Sequence, residues 1–168
     1  VGSPHLLDTY AAPTQEQIPA GSDIDSVLES IASHREHDKI AILVSGDPGL
    51  CSLAGPVLRR FGKDVCEALP GISSVQLAFA RLGLDWIDVR IVSAHKEIPD
   101  LTPEDLKTSG SIVILAGHRH SQHWIADLAN ALGNKRILVV CENLSLQGER
   151  IRRVSVAEFQ QIDLSTRT

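Results

Sequence analysis

Ile40-Ala41-Ile42-Leu43-Val44-Ser45-Gly46-Asp47-Pro48-Gly49 is the stretch whose reading decides what kind of fold this chain adopts. Five apolar residues in succession, three of them β-branched, predict a buried parallel strand over 39–45. The turn that closes the run places Asp before Pro, a pairing that starts helices, because Asp caps exposed N–H groups and Pro fits the first turn. A strand that ends in a glycine-bearing turn and runs on into a helix is also where α/β proteins bind ligands, with backbone N–H groups and one carboxylate exposed. On these residues alone, plain capping and ligand binding stand as equal alternatives. Two further turns follow apolar runs in the same way: Leu69-Pro70-Gly71-Ile72-Ser73-Ser74 and Cys141-Glu142-Asn143-Leu144.

Outward from this stretch the chain alternates strand and helix. On the amino side, a loop-like opening with Pro13, Pro19 and Gly21 leads to Ile24, Val27, Leu28 and Ile31 at helical spacing, capped by Ser22 or Asp23. On the carboxyl side, Leu50, Leu53, Ala54, Val57, Leu58 and Phe61 mark a helix ending at Gly62, and Gly55-Pro56 inside it predicts a kink or a second start. A short strand over 64–69 comes next. Ser73 or Ser74 then caps a helix with Val75, Ala78, Phe79 and Leu82 as its core stripe.

After Gly83 the pattern restarts. Val89–Val92, Ile112–Leu115 and Ile137–Val140 read as strands, and a short helix is expected after Thr102 in the polar stretch 95–110. Trp124, Ile125, Leu128, Ala129 and Leu132 form a helical stripe that stops at Gly133, and Arg150–Val156 reads as an antiparallel edge. Two small α/β lobes are therefore expected, 1–88 and 89–168.

The composition narrows the functional classes. In 168 residues, 43% are hydrophobic, enough for a folded core, and no run approaches the ~20 apolar residues that span a bilayer. The opening Val1-Gly2-Ser3-Pro4 lacks the basic start and apolar segment of a signal peptide, so a cytoplasmic protein with no membrane association is expected. A net charge of −5 argues against a nucleic-acid partner. Basic residues still group locally, at Arg59-Arg60 with Lys63 and at Arg150 with Arg152-Arg153, as solvated faces or as contacts for a small anion. Cys51, Cys66 and Cys141 are widely spaced and read as buried free thiols.

GxGxxG, GxxxxGK[ST] and GxSxG patterns are all absent, which sets aside the common dinucleotide, P-loop and nucleophile-elbow sites. His118, His120 and His123 crowd Gly117-His118-Arg119-His120-Ser121-Gln122-His123, yet no Cys, Asp or Glu completes a zinc spacing, so no metal is expected. They read instead as polar residues at a strand's carboxyl end, where a ligand passes. His95, after Ser93-Ala94, is a lone histidine and a weak catalytic candidate.

Taken in order, Gly46-Asp47-Pro48-Gly49, Pro70-Gly71-Ile72-Ser73-Ser74, Leu115-Ala116-Gly117, and Glu142-Asn143-Leu144 followed by Glu149-Arg150 resemble the tetrapyrrole methylases. Ser93-Ala94-His95 and the segment from Gly71 to Gly83 look like the subgroup that methylates carbon 5 of precorrins in cobalamin biosynthesis, acting on precorrin-6Y or (cobalt-)precorrin-7. The resemblance runs from about Val1 to about Val156. It departs at two points. The opening Val1–Leu7 looks like the Val-Gly-Ser-Pro element after the family's second strand, so the first strand and its Gly-Pro-Gly turn are expected to be missing. Lys96-Glu97 stands where the subgroup commonly has Gly-Arg, which weakens any role for His95.

The resemblance implies a two-lobed α/β fold, each lobe a small mixed or parallel sheet flanked by helices, with the active site in the cleft between them. It implies an S-adenosyl-L-methionine-dependent C-methyltransferase, a homodimer, acting on a precorrin-type tetrapyrrole. Carried over residue by residue, the cofactor contacts are Gly46, Asp47, Leu50, Ser73, Ser74, Leu115, Ala116, Glu142 and Asn143. The substrate contacts are Lys96, His118, Arg119 and His120. The alternatives are a relative acting on another precorrin carbon, on diphthine or on ribosomal RNA, a piece of a fused C5,15-methyltransferase, and a non-catalytic α/β binding module.

Overall fold

A computed structural model describes residues 1–95, 97–117, 119–133 and 135–165, without the side chains of Arg119 and His120. The chain divides into two compact units, Val1–Ser73 and Ser74–Thr168. Its class is α/β, as the alternating pattern predicts. Among the described residues, no helix is long and apolar enough to cross a membrane.

The first unit holds helices α1 (Pro4–Tyr10), α2 (Ile24–His34) and α3 (Ala54–Phe61). The opening is thus not all loop: Pro4 sits in the first turn of α1, where its missing N–H costs nothing, and Leu7 is buried. Asp23 is the cap of α2 and accepts the Ser26 N–H. Before α3, Cys51 takes φ +48°, and Ser52 Oγ donates to the Pro48 carbonyl while accepting the Ala54 N–H. The helix therefore begins once, at Ala54, and Pro56 falls in its first turn, where a missing N–H is tolerated. Cys51, expected to be buried, is exposed in this turn.

The run 40–44 is not the buried strand that its apolar content predicts. It makes a single parallel bridge, Gly2 to Leu43, with the Val1 amine donating to the Ala41 carbonyl (2.8 Å) and the Leu43 N–H to the Val1 carbonyl (2.7 Å). Gly2 also bridges Pro19, so three short segments lie side by side. A ladder extends only as far as its shortest member, and Val1–Gly2 gives way to α1 within two residues. Ile40 and Ile42 pack on Val1, Val27, Ile31 and Val57, while Ala41 is exposed. Residues 64–69 do not form a strand either; Val65 and Leu69 are exposed, Pro70 offers no N–H, and only Cys66 reaches the core.

The second unit follows the expected alternation closely. It runs α4 (Ser74–Leu82), β1 (Val89–Ser93), α5 (Pro103–Leu106), β2 (Ser111–Leu115), α6 (Arg119–Leu132), β3 (Leu138–Glu142), β4 (Arg150–Val154) and α7 (Val156–Gln161). β1 and β2 pair in parallel, and β3 and β4 pair antiparallel. The stripe on α6 serves two cores. Ile125 and Ala126 pack with Ala116, Val140 and Phe159, whereas Leu128 packs with Val92 and Leu106. α7 was not anticipated, although Ser155 and Glu158 form a capping box visible as Ser-x-x-Glu. The buried Gln122 amide donates to the Phe159 and Ile162 carbonyls and ties α7 down.

Candidate cofactor site

In the first unit, the Gly46–Gly49 turn is built around Asp47. Its Oδ1 accepts the Gly49 N–H at 2.6 Å, and its carbonyl accepts the Leu50 N–H at 3.1 Å. Gly46 has φ +72°, a conformation that other residues adopt at a cost. Gly71 lies directly on this turn: a Cβ there would stand 2.4 Å from the Gly46 carbonyl oxygen. Two of the three turns singled out in the sequence are therefore in backbone contact. Ser73, two residues beyond Gly71, is buried, and Ser74 is exposed at the start of α4.

In the second unit, the candidates gather at the carboxyl ends of strands, where parallel sheets hold ligands. The Ala94 N–H donates to the Leu115 carbonyl at 2.9 Å and carries the β1–β2 pairing one residue further. Ala94 and Ala116 are buried beyond the two strand ends. His95 lies against Gly117, where a Cβ would come 2.2 Å from its Nδ1. Gly117→Ala is thus expected to displace the His95 ring. Because the obstacle is the side chain of an exposed residue and not backbone, stability should change by only about 0.5 to 1 kcal/mol. Unaltered His95 imidazole resonances in an NMR comparison would contradict the contact.

Glu142 and Asn143, at the end of β3, behave differently from one another. The antiparallel register sets Arg150 opposite Glu142 and Arg152 two residues along on the same face. The Glu142 carboxylate is fully buried; Oε2 accepts from Arg152 at 2.5 Å, and Oε1 accepts the Ser165 N–H at 2.9 Å, with Arg150 at 3.6 Å. Burial pushes its pKa up, but these hydrogen bonds and the two guanidinium charges prevail and hold the carboxyl below its ordinary range. Glu142 is therefore committed within its own unit. Asn143 is half-buried with φ +52°; its Nδ2 donates to the Gly148 carbonyl, and its Oδ1 accepts from Ser165 Oγ.

Lys96 and His118 lie outside the described residues, and so do the side chains of Arg119 and His120. Of the basic groups noted in the sequence, Arg60 pairs with Glu29, and Arg150 and Arg152 with Glu142.

The family described as Tetrapyrrole (Corrin/Porphyrin) Methylases matches residues 4–160. The chain belongs to the tetrapyrrole methylases. This methylase is 31% identical over 157 residues to a cobalt-precorrin-7 C(5)-methyltransferase of Salmonella typhimurium, covering 93% of the chain and 76% of that protein. It is 27% identical over 174 residues to a probable cobalt-precorrin-7 C(5)-methyltransferase of Methanocaldococcus jannaschii, covering 98% and 80%. Among solved structures, a precorrin-6Y methylase of cobalamin biosynthesis from Archaeoglobus fulgidus superimposes with a TM-score of 0.70 at 31% identity, over 99% of the methylase and 79% of that chain. The methyltransferase CobJ, at 14% identity and a TM-score of 0.68 over 94% and 75%, shares the fold.

Sequence reasoning missed several residues that shape the segments carrying the candidate contacts. Gly71 and Gly117 are demanded by close contacts, which a sequence signals only as glycines in turns. Arg150, Arg152 and Ser165 hold Glu142, and only the hairpin register reveals the two arginines as its neighbours.

Proposed function

We propose that this methylase is an S-adenosylmethionine-dependent C-methyltransferase acting on carbon 5 of a precorrin macrocycle in cobalamin biosynthesis. The observation that carries the reading is the likeness, over nearly the whole chain, to relatives named for that activity. The turn geometry supports the reading: the turn that carries Gly46 and Asp47 is packed directly by Gly71, so two of the segments proposed to meet the donor stand together. Within this proposal the protein is a cytoplasmic homodimer.

The bound donor supplies a methyl group already activated on a sulfonium, so the protein's task is alignment and exclusion of water. Asp47 Oδ2, which makes no hydrogen bond among the described residues, accepts from a hydroxyl or ammonium group of the donor. Ser73 and Ser74 offer hydroxyl and N–H contacts. Leu50, Leu115 and Ala116 shield its apolar parts, and Glu142 holds the β3 end so that Asn143 presents its amide. Lys96, His118, Arg119 and His120 are the cations proposed to meet the carboxylates of the macrocycle.

The test is calorimetry with S-adenosylhomocysteine alongside an assay with precorrin-7. Asp47→Ala is expected to weaken binding by about tenfold, the loss of one hydrogen bond to a charged group, with the fold retained. Equal affinity in wild type and variant would remove Asp47 from the site. Methylation at a carbon other than 5 would redirect the substrate assignment.

A further inference from the structure

The loop after β3 carries an unusual density of left-handed backbone. Asn143, Ser145 and Gly148 have φ of +52°, +61° and +83°. Glycine takes this region freely and asparagine tolerates it, but serine needs something to hold it there. Glu149 is that restraint. Its Oε2 accepts the Ser145 N–H at 2.7 Å, and its Oε1 accepts from Arg81 Nε at 2.8 Å. The loop is folded on itself besides, with the Leu146 N–H donating to the Asn143 carbonyl and the Glu149 N–H to the Leu146 carbonyl. Arg81 lies on α4, the helix that Ser74 opens.

We propose that Glu149 is a positioning residue: joined to Arg81, it clasps the β3–β4 loop to α4 and fixes Asn143 for contact with the methyl donor. The inference rests on the reading that Asn143 binds the donor. One carboxylate thereby links two segments that carry candidate contacts, the helix that Ser74 opens and the Asn143 loop. Arg81 and Glu149 are both partly exposed, and such pairs add little to global stability. What they determine is loop geometry. The hydrogen bonds from Arg81 and from the Ser145 N–H hold the Glu149 carboxyl below its usual range, so the clasp stays ionised through neutral pH.

The experiment measures S-adenosylhomocysteine affinity, melting temperature and Ser145 amide exchange in wild type, Glu149→Ala, Arg81→Ala and Asn143→Ala. Glu149→Ala is expected to weaken binding by about tenfold, with faster Ser145 exchange even without ligand and a melting temperature within about 2 °C of wild type. Arg81→Ala should weaken it less, about threefold, because Ser145 keeps its acceptor. Unchanged Ser145 exchange in Glu149→Ala overturns the clasp. So does an Asn143→Ala protein that loses affinity while Glu149→Ala does not. If Asn143→Ala binds like wild type while Ser145 exchange still quickens in Glu149→Ala, the clasp exists and the donor reading of Asn143 is what fails. Should Glu149→Ala melt far lower, Arg81→Ala carries the comparison, since it leaves the Ser145 contact in place; full affinity there then counts against the proposal.

Discussion

Gly71→Ala is expected to destabilise the first unit by about 2 to 3 kcal/mol and to lower affinity for the methyl donor by tenfold or more. The added Cβ would stand 2.4 Å from the Gly46 carbonyl oxygen and 3.2 Å from its carbon. A clash with a side-chain tip is relieved by rotation, but here the obstacle is backbone. The carbonyl belongs to a turn already constrained by the left-handed Gly46 and by the Asp47–Gly49 hydrogen bond. Relief means separating the two turns, and the proposed donor contacts at Gly46 and Asp47 separate with them. Gly21→Ala is the control, since nothing lies within 4 Å of a Cβ there. Urea denaturation paired with ligand titration measures both effects. A Gly71→Ala protein as stable as Gly21→Ala would show that the turns are not in contact.

Arg152→Ala should be at least as costly, at about 3 kcal/mol, because it strands a buried carboxylate. Glu142 would keep only the Ser165 N–H and the more distant Arg150. Glu142→Gln removes the charge but keeps the shape and an acceptor, and should cost about 1 kcal/mol. The two variants also differ in their response to acid. Since the folded Glu142 carboxyl is held below its unfolded value, its stabilisation is fully present above about pH 4.3, where an unfolded glutamate is ionised. It is lost as pH falls below that value toward the folded one. Wild type should therefore lose stability over this acid range more steeply than Glu142→Gln. Parallel pH curves for the two would refute the ion-pair account. Because Asn143 follows Glu142 directly, Arg152→Ala should also disturb the loop that Glu149 restrains.

Much of the second unit was legible because its signals are local. Val89–Ser93, Ser111–Leu115 and Leu138–Glu142 are short β-branched runs, and α6 has a stripe of helical period closed by a left-handed Gly133. The run 40–44 carries an equally strong signal and yet makes only a bridge, since an apolar run reports a preference for burial, whereas a ladder also needs a neighbour of matching length. Residues 64–69 fail for a related reason: Val65 and Leu69 find no apolar surface to cover them. α7 is the opposite case, a helix whose capping box was readable but overshadowed by the strand before it.

The site divides along the same line. Membership of the tetrapyrrole methylases, the turns bearing Gly46-Asp47 and Gly71, and the strand ends at Leu115-Ala116 and Glu142-Asn143 follow from the order of residues alone. Each is a matter of local composition and spacing. Which of these groups are tied up by their own neighbours was decided only in three dimensions. Glu142 is an acid at a strand end in the sequence, but the β3–β4 register puts two arginines on its face and commits its carboxylate to them. Gly71 is one turn glycine among several until the Gly46 carbonyl fills the space where its Cβ would be. Contacts between distant segments depend on register and approach distance, and neither is written in the neighbouring residues.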